Sequence, residues 1–292
     1  MQIFVQTRGA ARASDYCFLG QAPHSPWWRV YREHTAFDHP TLIVHSDGAE
    51  WRAYLSGIPS ARVDAVGTVI RYTVALEGVC GGTEAAAGTR ALAIIAAWLS
   101  DIATSAAGGG VQSVFDREFP GPVVERLLAD GRDGAWKETR QRAMAALTSL
   151  PAAHPVATAG PGSWIGDVAA RVPRTAFLGR AAGLLTGTAG RAVFLNLIGS
   201  REDGAALVQD GPPVAILGED VMGIPSDEVA ELPEKKAPPL PRSTTQAARR
   251  RTTPPTTTRR TTPPATMPRT RRRPSLLRWL AALLGGGGRW SR

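Results

Sequence analysis

The chain has 292 residues, with 34 Lys/Arg against 25 Asp/Glu and a formal net charge of +9. Hydrophobic residues make up 43%, enough for a folded core, and two cysteines are too few for a disulfide framework. From Pro233 onward lie 15 of the basic residues and one acid, Glu234; 19 bases and 24 acids precede it, so the tail carries +14 and the head −5. That asymmetry excludes reading the whole chain as a basic nucleic-acid-binding domain.

Residues 2–7 read as a first strand, with Ile3 and Val5 on one face and Phe4 on the other. A turn over 8–13 and a short apolar piece over 15–20 follow. Pro26 opens a helical turn through His34, where its missing N–H costs nothing. Residues 41–45 form a strand closed by Ser46-Asp47-Gly48. In residues 50–56, Trp51, Ala53 and Leu55 alternate with Arg52, Tyr54 and Ser56, so the two strands make a hairpin. Residues 68–76 are the clearest strand. A Gly-rich turn then precedes a helix over 85–104, in which Leu92, Ile95, Leu99 and Ile102 repeat at three- and four-residue spacing.

The glycines of 106–110 break that helix. Two further helices are expected over 123–129 and 135–150, and Pro/Ala/Gly-rich residues 151–162 are a candidate sub-boundary. Helices over 164–170 and 176–185, a strand over 192–198, and a hairpin pairing 205–208 with 214–217 complete the head. Strands first, helices in the middle and strands last predict an α+β or mixed α/β body over residues 1–232.

Within the head, Gly78-Val79-Cys80-Gly81-Gly82 has the form G-x-C-x-G between a strand and a helix. In a nucleophile elbow that turn lifts a thiol beside a helix N-terminus, whose dipole favours the thiolate. His154 is the downstream histidine for such a pair, with Asp101, Asp116 or Asp130 as the acid. The alternation of 68–76 speaks against an elbow strand, which is ordinarily buried on both faces. Gly81, Gly82 and Thr83 also offer N–H groups to an anion, without a Walker lysine. His34, Asp38 and His39, near His45, are the His/acid cluster that a metal would use; scattered loop polarity explains them equally, and no cofactor is expected. Trp27-Trp28 after Pro26 serves either as core anchors or as a recognition surface.

Residues 62–67 read Arg62-x-Asp64-x-x-Gly67 and lead into the strand Ile70-Arg71-Tyr72-Thr73. Over residues 1–80 this resembles the N-terminal domains of bacterial GTPase-associated and conflict-system (antiphage defence) proteins. The resemblance implies a component of a multi-protein defence or regulatory system, partnered by other members of it, a GTPase or NTPase among them. It carries over no catalytic residue.

Residues 233–274 are Pro, Thr and Arg, a composition that stays extended and solvated. Arg249, Arg250, Arg251, Arg259, Arg260, Arg271, Arg272 and Arg273 form clusters able to bind any polyanion, nucleic acid or anionic lipid. Over 275–284, Ser275 caps a short helix bearing Leu276, Leu277, Trp279, Leu280, Leu283 and Leu284, and a Gly-rich end over 285–292 follows. Ten residues make about 15 Å of helix, half a bilayer core, so this element docks on a membrane surface or in a partner groove. The N-terminal residues lack an apolar signal core, and a cytoplasmic protein, peripheral at the inner membrane face, is expected. These features favour a non-enzymatic adaptor or effector. The alternatives are a cysteine hydrolase using Cys80 and a non-specific nucleic-acid binder using the tail.

Overall fold

The computed structural model describes residues 1–10, 15–36, 39–81, 85–104, 108–153, 162–208, 211–225 and 227–233. Asp38, Gly82, Thr83, His154 and all the tail positions named above lie outside them. The described residues fall in one compact unit.

The N-terminal half builds an antiparallel sheet from β1 (Gln2–Thr7), β2 (Cys17–Phe18), β3 (Thr41–Ser46), β4 (Glu50–Val63) and β5 (Val69–Val79). The expected hairpin of β3 and β4 forms, with Ile43 opposite Tyr54 and Ser46 opposite Trp51. Its turn is held by Asp47, whose carboxylate accepts the Ala49 and Glu50 N–H groups at 2.9 and 2.8 Å. β4 runs seven residues beyond the expected 50–56, past register shifts between Leu55 and Ile58 and between Pro59 and Val63. The shift near Gly57 hides the continuation from a strict period-two reading. Gly57 has φ +77°, and a Cβ there would lie 2.5 Å from the His39 carbonyl oxygen.

The central part is helical: α1 (Ala85–Thr104), α2 (Gly110–Glu118), α3 (Gly121–Ala129) and α4 (Gly131–Thr148). The expected helices at 85–104, 123–129 and 135–150 are present, the last two starting earlier. α2 was hidden by its glycine-rich start. Asp101 of α1 supplies its cap, accepting the Gly110 and Val111 N–H groups at 3.0 and 2.9 Å, a tertiary contact that local pattern does not reveal. Of the described helices, only α1 is long and apolar enough to cross a membrane, and half of its apolar window is buried in the fold.

The C-terminal part adds β6 (Trp164–Asp167), α5 (Arg171–Thr186), β7 (Gly190–Phe194), α6 (Arg201–Val208), β8 (Val214–Gly218) and β9 (Val229–Glu231). Two expectations fail here. Residues 164–170 are not a helix: Trp164–Asp167 is a buried strand running parallel to β8. A short apolar run does not separate the two states by periodicity. Nor do 205–208 and 214–217 pair as a hairpin. The first belongs to α6, capped by the Ser200 hydroxyl, which accepts the Asp203 N–H at 3.2 Å. The second is β8, parallel to both β6 and β7. Residues 26–34 form a 3₁₀ segment over Trp27–His34.

All strands join one nine-stranded mixed sheet of order β2-β1-β5-β4-β3-β7-β8-β6-β9, so the head is α+β. Strands on both sides of residues 151–162 meet in it, through the antiparallel pairing of β3 with β7. One face packs Val5, Leu55, Val74 and Phe194 against α1, α2, α4 and α5. The other face, in the β3-β7-β8-β6 half, packs Ile43, Val193, Ile165 and Ile216 against α6 and Tyr31 of the 3₁₀ segment.

The Arg62-x-Asp64-x-x-Gly67 sequence is a structural clasp. Asp64 accepts the Val66 and Thr68 N–H groups at 3.0 and 2.8 Å and pairs with Arg8, not Arg62, at 2.6 Å. Those backbone donors, Thr68 first, and Arg8 hold its carboxyl below the usual range. Arg62 donates to the Thr7 hydroxyl (2.6 Å) and the Arg8 carbonyl (2.8 Å), with its guanidinium 4.9 Å above the Tyr72 ring. The Tyr72 hydroxyl, pushed up to about 12 chiefly by burial, donates to Asp116 and the Phe119 carbonyl at 3.1 and 3.0 Å. Tyr72→Phe leaves that buried carbonyl without this donor and should cost about 1–2 kcal/mol, read as a melting point a few degrees lower. An unchanged melting point would show that the clasp does not depend on this hydroxyl.

Candidate functional site: an aromatic and arginine-lined cleft

Strand register fixes what the second face of the antiparallel half displays. Side chains alternate across a strand, so Phe4, Ala75, Tyr54 and Ile43, which are register partners, form one row across β1, β5, β4 and β3. Gln6 and Thr73 begin a polar row on one side, and Thr41 with Ser56 continues it. Gln2, Glu77, Arg52 and His45 make a charged row on the other side.

The 3₁₀ segment lies over this face and brings Trp28 onto Tyr54, with ring centroids 4.7 Å apart and planes 12° from parallel. Trp27 meets Trp28 edge-on at 5.7 Å, and Phe18 of the edge strand β2 approaches Trp28 at 6.1 Å. On the far side, Phe4 stacks on Trp136 of α4 at 5.2 Å. Trp27-Trp28 is thus neither simply core nor simply surface: both rings are half-buried and wall a cleft.

The cleft has two chambers, of about 1130 and 260 Å³, which share Tyr16, Trp28, Arg29 and Tyr54. Gln6, Phe18, Gln21 and Trp136 are among the further lining residues of the larger chamber. Arg32, Arg71, Thr41, Ser56 and Thr73 are among those of the smaller. Among the described residues, no Asp or Glu lines either chamber. Tyr16 is fixed between two arginines: its hydroxyl accepts the Arg71 N–H at 3.0 Å, and the Arg8 guanidinium sits 5.5 Å from its ring centre. The Arg71 side chain donates to the Gly57 carbonyl at 3.1 Å, which holds it at the strand irregularity. Arg29 and Arg32 are exposed and make no ion pair among the described residues. Burial pushes the Tyr54 phenol up, against the pull of Ser56, Thr73 and Arg29, so it stays a neutral hydrogen-bonding group at the cleft floor.

The other candidates stand apart from this cleft. Cys80 follows the last residue of β5, at the far end from the cleft, its N–H on the Ala49 carbonyl at 2.7 Å. Its thiol lies 3.7 Å from the Leu184 carbonyl and 3.7 Å from the Ser46 hydroxyl. Gly81 beside it has φ +78°. Of the carboxylates considered for it, Asp101 caps α2, Asp116 accepts the Ala61 N–H at 2.8 Å, and Asp130 pairs with Arg126 at 3.1 Å. The His34 carbonyl accepts the Leu197 N–H, and the His39 N–H reaches the Ala36 carbonyl. Among the described residues, no group of three or more His, Cys, Asp and Glu side chains is placed to hold a metal ion.

Sequence reasoning raised Trp27-Trp28 as a recognition surface but missed Tyr16, Arg29, Tyr54 and Arg71. For Tyr54 and Arg71 the signal was present, since both sit at alternate positions from their buried strand neighbours. No family model, curated protein or solved structure matches the chain.

His45 flanks the charged row opposite Arg191 and Arg52. Burial, then those two guanidiniums, hold its imidazole below its ordinary value, with Asp47 pulling back. The folded state therefore resists protonation, and the stability this gives is full above about pH 6.5 and drains away as pH falls below it. The melting point should drop between about pH 7.5 and 5.5, with a shallower drop in His45→Gln; equal slopes in the two proteins would remove His45 as the cause.

Proposed function

We propose that this protein is a non-enzymatic adaptor or effector of a bacterial multi-protein system, recognising its target through the head cleft and held on an anionic surface by its tail. The observation that carries this reading is the lining of the cleft. Stacked aromatics and arginines are the residue types that dominate recognition surfaces, and here they converge with no carboxylate among the described lining residues. Catalysis asks for a nucleophile with a general base and an acid; the described lining offers rings, amides, hydroxyls, guanidiniums and the lone thiol of Cys17, which burial pushes up and away from the thiolate. The resemblance of residues 1–80 to GTPase-associated and conflict-system proteins supports the same reading, with a GTPase or NTPase of that system as partner. The tail supplies the second half: +14 of charge, a solvated tether and a terminal apolar decapeptide, which together fit peripheral attachment at the inner face of the cytoplasmic membrane.

The reading is tested on affinity-purified full-length protein, an Arg29→Ser/Arg32→Ser variant and a chain ending at residue 232. Specific companions should disappear with the cleft variant, while sedimentation with anionic vesicles should disappear with the truncation. If the cleft variant keeps every companion, the cleft is not the recognition site. Unchanged sedimentation of the truncated chain would remove the tail's role.

A further inference from the structure

From the chemistry of the two chambers we infer that the cleft binds a nucleoside phosphate: a planar ring carrying a phosphate group. This rests on the reading of the cleft as the recognition site and names what it takes. The two chambers differ in kind. The smaller has three arginines, Arg29, Arg32 and Arg71, and the hydroxyls of Thr41, Ser56 and Thr73 on the sheet floor. Guanidiniums and hydroxyl donors are the donor set for a phosphate, and no described residue of this lining is a competing carboxylate. Two of the three arginines are exposed and unpaired among the described residues, so binding an anion breaks no existing ion pair of theirs.

The larger chamber has rings instead: Tyr16, Phe18, Trp28, Tyr54 and Trp136. Rings alone fit any flat apolar group. The side-chain amide of Gln6, one N–H of which donates to the Tyr16 carbonyl at 3.3 Å, keeps a second N–H and its carbonyl, and with the amide of Gln21 it offers donors and acceptors that match the polar edge of a nucleobase. The neck common to both chambers is Tyr16, Trp28, Arg29 and Tyr54, three rings and one cation. A ligand crossing it needs a stacking surface on one side and negative charge on the other, joined by a short spacer. A base, a ribose and a phosphate have that form. At about 1130 Å³ the larger chamber exceeds the usual range for one small ligand. A free mononucleotide and one nucleotide of a single strand therefore share this chemistry.

The experiment uses the full-length chain with Arg249, Arg250, Arg251, Arg259, Arg260, Arg271, Arg272 and Arg273 replaced by Gln, which removes most of the tail's own attraction for phosphates. Adenosine, guanosine, cytidine and uridine 5′-monophosphates are titrated by calorimetry and tryptophan fluorescence. The matching nucleosides, inorganic phosphate and short single-stranded oligonucleotides are run in parallel. At least one nucleotide or oligonucleotide should bind saturably below about 1 mM, with its nucleoside and inorganic phosphate about tenfold weaker or worse. Arg29→Ser/Arg32→Ser should weaken it about tenfold through the phosphate, and Trp28→Leu by a similar factor through the ring. Arg29→Lys/Arg32→Lys, which keeps the charge, should recover part of the affinity. Tighter binding of the oligonucleotide than of any mononucleotide makes a single strand the source; equal or weaker binding makes it the free nucleotide. The inference is overturned if nothing in the panel saturates, or if affinity survives both substitutions in folded protein. Should companions still be lost from the cleft variant while no nucleotide binds, the recognition reading stands and only the ligand class falls.

Discussion

The head is one body because β3 accepts a partner on each side. Along one edge it takes β4, its hairpin neighbour in sequence; along the other it takes β7, from more than a hundred residues away, with Leu42 opposite Phe194 and Ser46 opposite Gly190. That second ladder joins an antiparallel meander to a parallel unit. It also sets the coverage of the two faces. The helices between the halves pack mainly over one face of the joined sheet, where Trp51, Tyr72, Phe115 and Phe194 are completely buried. The second face is closed by α6 on the parallel side. On the antiparallel side it is covered by the 3₁₀ segment and, at the β1 edge, by Trp136 of α4, and the cleft is the space between them.

What the sequence made legible follows from the same division. Local signals were enough for β1, β3, β5, α1 and the first hairpin, because alternation, helical spacing and an Asp-Gly turn each act within a few residues. The failures come where a distant contact decides. Trp164–Asp167 is a strand because β8 and β9 flank it, with Trp164 opposite both Ala215 and Glu231. α2 begins at a glycine because Asp101 caps it. Residues 205–208 gave an apolar pattern without period, and their helix is decided upstream by the Ser200 hydroxyl and the acids of the first turn. The cleft was half legible for the same reason: Trp27-Trp28 is conspicuous as a dipeptide, but Tyr16, Arg29 and Arg71 become a site only when β2, the 3₁₀ segment and β5 are brought together.

Charge gives the cleft its character against the trend of the fold around it. The head is acidic overall, with 24 acids to 19 bases before Pro233. Its ion pairs, Arg8 with Asp64 and Arg126 with Asp130 and Glu138, neutralise arginines elsewhere. In the cleft the balance is reversed, because no carboxylate among the described residues lines it to quench Arg29 and Arg32. A low-dielectric wall of rings beside these cations strengthens their field, since less water screens it. Within the head, attraction to anions is thus concentrated at one place on a body whose average charge would repel them.

The two positive regions of the chain then differ in what they can distinguish. The tail's arginine clusters are spaced by Thr and Pro and carry almost no aromatic residues, so they sense charge density and little else, with an affinity that collapses as salt rises. The cleft combines fewer charges with stacked rings and positioned amides, interactions that depend on shape and persist when salt screens the charges. On the function proposed above, the two are complementary: the tail would raise local concentration near an anionic surface, and the cleft would choose among what is found there.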